Sequence, residues 1–251
     1  MIDLRQGDCL ELMKDIHDRS IDMILCDLPY QRTQNQWDII IPMEKLWEEY
    51  KRIVKDNGVI ALFADGMFMA ELMMSNKKMW KYNLVWDKVL PSGFLNANRQ
   101  PLRSHEEICV FYNKQPTYNP QKVKGNPNHS KGKPKVNENN NYGHFHFVDN
   151  REELGDMKHP KSILTFQKKH PSISVHPTQK PIELLEWLIK TYTNEGDTVL
   201  DNCMGSGSTG VACVKKNRNF IGIELDQKYF NIAKNRIEEA QNEQKSTGTI
   251  R

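Results

Sequence analysis

The glycine loop of this chain sits in a place that restricts the fold more than any other feature. Thr198-Val199-Leu200-Asp201 reads as a buried strand, Asn202 to Gly210 as a loop carrying Gly205-x-Gly207-x-x-Gly210, and a helix follows to about Lys216. The spacing matches the dinucleotide fingerprint, and Glu224 lies nineteen residues past Gly205, where an acid takes ribose hydroxyls. Only one more strand (220–224) and one more helix (Gln227 to about Asn242) follow, however. A dinucleotide site needs two mononucleotide halves, so the remaining strands must come from the N-terminal part of the chain. The loop is then left with one nucleoside to hold, by glycine backbone and an acid, with no pyrophosphate. S-adenosylmethionine meets that description.

The N-terminal part supplies strands of the required kind. Residues 1–6 read as a strand leading to Gly7-Asp8-Cys9, and Leu10 to Ile16 as a short helix. Ile21 to Cys26 is an apolar run with strand character, closed by Asp27-Leu28-Pro29-Tyr30 and followed by a polar loop. Pro42 suits the first position of a helix that places Leu46, Trp47, Tyr50, Ile53 and Val54 on one face and stops at Asn57-Gly58. Val59 to Ala64 is another buried strand, and a helix carrying Met67, Met69, Met73 and Met74 reads as core packing. Strands over 82–87 and 108–112 complete a strand–helix alternation that implies a largely parallel sheet.

Asp27 to Tyr30 therefore falls at the carboxyl end of a strand, where α/β sheets place ligands. These residues suit alkylation of an exocyclic amine on a flat base, whose lone pair is delocalised into the ring. The Asp27 carboxylate and the Leu28 carbonyl can accept its two N–H bonds and localise the lone pair. Pro29 restricts Leu28 to extended conformations and so fixes where that carbonyl points. Tyr30 can stack on a base drawn out of a duplex.

At 251 residues and 38% hydrophobic, the chain suits one α/β domain with an insertion, and no apolar run approaches membrane-spanning length. The first residues resemble neither a signal nor a transit peptide, so a cytoplasmic protein is expected. The five cysteines are scattered, without a C-x-x-C pair or a ligand-like His/Cys cluster, so neither disulfides nor a metal site is expected. The net charge of +3 is uninformative, but its distribution is not: residues 113–137 hold six lysines and no acid, interleaved with Tyr118 and His129. An asparagine-rich run and Tyr142-Gly143-His144-Phe145-His146-Phe147 follow. Such a stretch suits a nucleic-acid contact. The expected organisation is 1–112 as the catalytic half, 113–175 as a basic inserted region, 176–243 as the cofactor-binding half and 244–251 as a polar, frayed tail.

Taken together, these residues resemble the β-class of DNA amino-methyltransferases, in which the amine-binding motif precedes the cofactor motif. Asp27-Leu28-Pro29-Tyr30 is similar to that family's D-P-P-Y, and Asp201 to Thr209 to its D-P-F-x-G-S-G-T-T loop. His176-Pro177-Thr178-Gln179-Lys180-Pro181 matches its H-P-T-Q-K-P segment. The resemblance covers 1–112 and 176–240 and leaves the basic insertion as the target-recognition region. It implies a Rossmann-like α/β methyltransferase fold with permuted motif order, a mostly parallel sheet and helices on both faces. By the same resemblance Asp8 and Cys9 lie over the cofactor adenine, with Asp8 accepting from its amino group, and Thr178 and Lys180 lie near the methionine carboxylate. Asp201, Gly205, Ser206, Gly207 and Glu224 complete the cofactor set. Trp86-Asp87-Lys88 and Arg103-Ser104-His105-Glu106 look like segments flanking the active site, with no chemistry assigned.

Two residues depart from the pattern. Leu28 replaces a proline, which leaves the backbone carbonyl in place, and Cys203 replaces a phenylalanine and removes an aromatic wall beside the cofactor. Cys203 is not expected to act as a nucleophile, because carbon-5 methylation of cytosine uses a Pro-Cys dipeptide and the chain has none. The reaction expected is direct methyl transfer to the N6 amine of adenine in double-stranded DNA, with base flipping. The initial Asp leans in this family towards adenine and an initial Ser towards cytosine, so N4-cytosine methylation is the nearest alternative and a non-catalytic DNA-binding regulator a more distant one. A homodimer and a companion restriction endonuclease are expectations from the family.

Overall fold

The computed structural model describes residues 1–29, 41–126, 155–168 and 179–248. It contains two compact units, residues 1–119 with 162–251, and residues 120–161. The larger holds an eight-stranded sheet and six α-helices among the described residues, in chain order β1 (Ile2–Gln6), α1 (Cys9–Met13), β2 (Ile21–Cys26), α2 (Met43–Ile53), β3 (Val54–Ala64), α3 (Met67–Ser75), β4 (Trp80–Ser92) and β5 (Arg103–Tyr112). In the smaller unit β6 (Val123–Lys124) pairs antiparallel with β7 (Met157–Lys158). The larger unit resumes with β8 (Ile163–Thr165), α4 (Ile182–Tyr192), β9 (Thr198–Asp201), α5 (Ser208–Lys215), β10 (Asn219–Glu224) and α6 (Gln227–Gly248).

The sheet order is β1-β10-β9-β2-β3-β5-β4-β8. The C-terminal strands β9 and β10 lie inside the sheet, between β1 and β2, so the two ends of the chain do complete one sheet. Strands β1, β10, β9, β2 and β3 are mutually parallel, as are β4 and β8. The sheet is mostly parallel, as expected; the exception is β5, which runs antiparallel to both β3 and β4. The physical reason is the connection: β4 passes to β5 through a loop with one short 3-10 turn, Phe94–Asn96, and a parallel return needs a longer crossover.

Side chains alternate across each central strand. Met23 and Leu25 of β2, with Val59, Ala61 and Phe63 of β3, face a core completed by α4, α5 and α6. Ile24 and Cys26, with Ile60, Leu62 and Ala64, face the core formed with α1, α2 and α3. Both sheet faces are thus covered, as the unbroken apolar runs require.

Several element ends differ from the sequence reading. Helix α2 stops at Ile53 because Val54 is already extended and pairs with Ile21 as the start of β3, so Asn57-Gly58 lies within a strand. The methionines of α3 divide: Met69 and Met73 pack, partly buried, against the core beside Phe68 and Leu72, whereas Met67 and Met74 are 71% and 62% exposed. Helix α6 continues to Gly248, and the Gln244 side chain ties its end to the Val214 carbonyl and Asn217. Ile163–Thr165, inside the stretch read as an insertion, is the edge strand beside β4, where Trp86 Nε1 donates to the Phe166 carbonyl at 2.8 Å. Among the described residues no helix is long and apolar enough to cross a membrane.

Candidate active site

From β9 the chain crosses to β10 on one side, and from β2 it crosses to β3 on the other. The crevice between the carboxyl ends of β9 and β2 is therefore the point where the winding reverses, the place where open α/β sheets bind ligands. A cavity of about 530 Å³ opens there, bordered by Asp8, Asp27, Lys180, Gly205 and Glu224 among others. That volume suits a nucleoside-sized ligand.

On the β9–β10 side the acids are tied to backbone and hydroxyl donors. Asp201 ends β9, and its carboxylate accepts from Thr209 Oγ1 at 2.7 Å and from the Cys203 N–H at 3.2 Å, bracing the loop at both ends. Burial pushes its carboxyl up to about 6, against the pull of those two donors. Glu224 ends β10 and accepts from the Gly205 N–H and the Asp226 N–H, both at 2.8 Å, while burial raises its carboxyl. Asp8 caps α1, taking the N–H groups of Leu10 at 2.8 Å and Glu11 at 3.2 Å through Oδ1. Gly205 and Gly207 both have left-handed φ, 52° and 76°. A Cβ at Gly207 would stand 2.8 Å from Ala233 Cβ on α6, so this turn requires glycine for conformation and for room. Ser206 is fixed through its carbonyl and hydroxyl by the Arg236 guanidinium.

Cys203 lies where the loop leaves β9 and lines the cavity with Cys9, and its sulfur accepts from the Asn202 side-chain amide at 3.5 Å. The neighbouring Cys26 and Cys9 thiols, and burial, keep the Cys203 thiol well above the ordinary range, and burial pushes Cys26 up to about 12. Both sulfurs are therefore protonated at neutral pH. Tyr50 of α2 reaches under the loop to donate to Asn202 Oδ1 at 2.6 Å.

On the β2 side the acids meet ammonium groups instead. Lys180, just ahead of α4, donates to Asp27 Oδ2 at 2.6 Å, stands 3.3 Å from Glu106 Oε2 and lies 4.9 Å over the Phe63 ring. Lys88 lies 3.3 Å from Glu106 Oε1 and 3.3 Å from Ser92 Oγ. Burial raises the Glu106 carboxyl, but Lys180 and Lys88 together outweigh it and hold the group below the usual carboxylate range. Leu28 is buried and Pro29 borders the cavity. Tyr30, His176, Pro177 and Thr178 lie outside the described residues.

The structure thus brings together Asp8, Cys9, Asp27, Leu28, Pro29, Lys180, Asp201, Gly205, Ser206 and Glu224 around one cavity, while Gly207, which caps α5 at the end of the turn, does not line it. Sequence reading left Lys88, Glu106, Tyr50, Asn202 and Arg236 without roles. For Lys88 and Glu106 the signal was the resemblance of their two segments to ones flanking the active site; strand register, which sets Trp86 opposite Glu106, brings them together.

The chain is similar in sequence and fold to known proteins. The chain is 27% identical to Type II methyltransferase M2.DpnII of Streptococcus pneumoniae over 96% of this chain and 90% of that protein. It is 28% identical to Type II methyltransferase M.HinfI of Haemophilus influenzae, over 93% of this chain and 67% of that one. The solved complex of M1.HpyAVI with SAM matches with a TM-score of 0.65 at 25% identity, covering 94% of this chain and 99% of that one. PvuII DNA methyltransferase, cytosine-N4-specific, matches with a TM-score of 0.68 at 15% identity over 96% of this chain and 91% of that one, a likeness of fold. The N6/N4 DNA methylase model matches residues 21–235, most of the chain, and this protein belongs to that family of DNA methyltransferases.

Proposed function

We propose that the chain methylates the N6 amine of adenine in double-stranded DNA, with S-adenosylmethionine as cofactor. The observation that carries this reading is the placement of the Asp27 carboxylate and the Leu28–Pro29 backbone at the end of β2, across one cavity from the glycine loop. The fit of the cofactor rests on the donor set opposite. Glu224 suits the ribose hydroxyls, since a carboxylate that takes two backbone N–H groups still has lone pairs to accept more. Asp8 suits the adenine amino group through Oδ2, Cys9 lies beside it, and the Gly205–Ser206 backbone lines the cavity between them. Asp201 and Gly207 act through the shape of the loop. Thr178 is proposed near the methionine carboxylate, with Lys180 between that group and Asp27.

S-adenosylmethionine supplies, when bound, a methyl group on a sulfonium sulfur, so that an N–C bond forms as the S–C bond breaks and sulfur leaves as a neutral thioether. The chain's own contribution is orientation and charge. Asp27 and the Leu28 carbonyl accept the two N–H bonds of the amine, which localises its lone pair and aims it. As the nitrogen becomes cationic the Asp27 carboxylate stabilises it, and the surplus proton leaves through that carboxylate to solvent. The target base must be extruded from the duplex to reach the cavity, with Tyr30 as its stacking partner. The basic stretch 113–175 is proposed as the part that reads the target sequence. A companion endonuclease belongs to this reading, supported by relatives that are Type II methyltransferases.

The test is a nucleoside digest of unmethylated duplex DNA after incubation with methyl-labelled cofactor. Label in N6-methyladenine is the expected result. Label in N4-methylcytosine keeps the scaffold and overturns the assignment to adenine, and absence of label from every base overturns the reading as a whole.

A further inference from the structure

Asp27, Lys180, Glu106 and Lys88 form a row of alternating charge along the wall of the cavity, with contacts of 2.6, 3.3 and 3.3 Å. The row is well shielded, the Lys88 and Lys180 side chains being only 3% and 9% exposed and those of Glu106 and Asp27 17% and 25%. Two carboxylates and two ammonium groups balance. Arg103, which lines the same cavity, is paired with Asp65 at 2.7 Å and so adds no net charge, and Lys168 stands at the outer end beyond Lys88.

This arrangement conflicts with the role of Asp27. The amine needs Asp27 as a hydrogen-bond acceptor and needs its negative charge as the nitrogen becomes cationic. In the structure Lys180 donates to Oδ2 at 2.6 Å; the carboxylate keeps lone pairs for the amine, but the adjacent ammonium offsets the charge that the developing cation needs. Lys180 must therefore draw away, but an ammonium group as buried as this is costly to leave without a counter-ion. Glu106 Oε2, at 3.3 Å, is the second carboxylate within reach, and Lys88 fixes it from the far side through Oε1.

Resting on the role proposed for Asp27, we infer that Glu106 is a positioning residue that takes Lys180 from Asp27 when the target amine arrives, restoring the carboxylate's charge for methyl transfer. Lys88 holds Glu106 in place for the exchange. The lysine never lacks a partner, and Asp27 regains its charge only once a substrate is there to use it.

Glu106→Gln tests this, because it keeps the shape and removes the charge. Cofactor affinity by calorimetry is expected to stay near that of the parent, while the single-turnover rate at saturating cofactor and DNA falls about 100-fold. The distinguishing readout is the double variant with Lys180→Gln. With no lysine to relocate, the further loss caused by Glu106→Gln should vanish, whereas a merely structural role would persist. A parent-like rate in Glu106→Gln, an equal penalty with and without Lys180, or lost cofactor binding would each overturn the inference. So would a structure with cofactor product and duplex DNA that still has Lys180 nearer Asp27 than Glu106. Asp27→Asn is run alongside: activity in that variant sinks the proposed role of Asp27, whereas an inactive Asp27→Asn beside a fully active Glu106→Gln sinks only the exchange.

Discussion

The two sides of the cavity satisfy their acids by different means. Beside the glycine loop, Asp201 and Glu224 are held by backbone N–H groups and the Thr209 hydroxyl, and Asp8 by the first N–H groups of α1. These donors belong to the fold and cannot leave without unwinding it. Beyond β2, Asp27 and Glu106 are held by the ends of two lysine side chains, which can move by an ångström or more at the cost of rotamers. The first side is suited to recognising a ligand that must always fit in one way. The second is suited to a charge distribution that changes during the reaction. Fixed dipoles pre-organise, and exchangeable ion pairs respond.

The largest effect should come from breaking the responsive side at its centre. Asp27→Asn removes the charge opposite the developing cation and is expected to lower the single-turnover rate about 1000-fold or more. Lys180 keeps Glu106 as its partner in that variant, so the fold should persist and calorimetry should show the cofactor binding as in the parent. A variant that loses cofactor binding together with turnover would show that the two sides are not separable in the way their contacts imply.

Breaking the rigid side should have the opposite signature. Gly207→Val forces a β-branched residue to a φ of 76° and drives its Cβ to within 2.8 Å of Ala233. Left-handed strain and overpacking together are expected to cost about 3 kcal/mol of stability, read from urea unfolding. The loop cannot keep its turn while α6 moves away, so cofactor binding should be lost as well. Retained binding with lowered stability would mean that the loop's shape depends on Asp201 and Arg236 more than on the glycine.

The difference between the two sides also explains what the sequence could disclose. The strands over 21–26, 59–64, 198–201 and 220–224 are visible because each is an apolar run closed by turn residues, and burial on both faces is what such runs mean. The glycine loop and Asp27 are visible because their chemistry is local, a few residues in a fixed order. Lys88, Glu106 and Lys180 lie in three segments that resemblance singles out, but they meet through strand pairing and the entry to α4, and no spacing along the chain announces that meeting. The reversal of β5 was hidden for a similar reason. A short connection containing Phe94–Asn96 decides it, and the apolar pattern of the strand is the same in either direction. Met67 and Met74 misled by type, since the face that α3 presents is set by Phe68 and Leu72.

The smallest effect belongs to Asp201, and it ties the two sides together. Its carboxyl is raised from 3.8 to about 6, chiefly by burial, so the folded state holds a proton that the unfolded state releases. The stability contributed by that proton is fully present below about 3.8 and is lost as pH rises through about 6, at most about 3 kcal/mol over that window. Asp201→Asn keeps an oxygen for Thr209 and for the Cys203 N–H but does not titrate. Urea midpoints from pH 4 to 7 should therefore show the parent losing stability relative to Asp201→Asn as pH rises. A parent that gains on the variant would mean that its two donors prevail over burial. The charge on Asp27 is one of the causes of the upward shift, so in the Asp27→Asn background the window should move to lower pH. That displacement measures, without any methyl transfer, how strongly the carboxylate of the responsive side is felt by the loop of the rigid one.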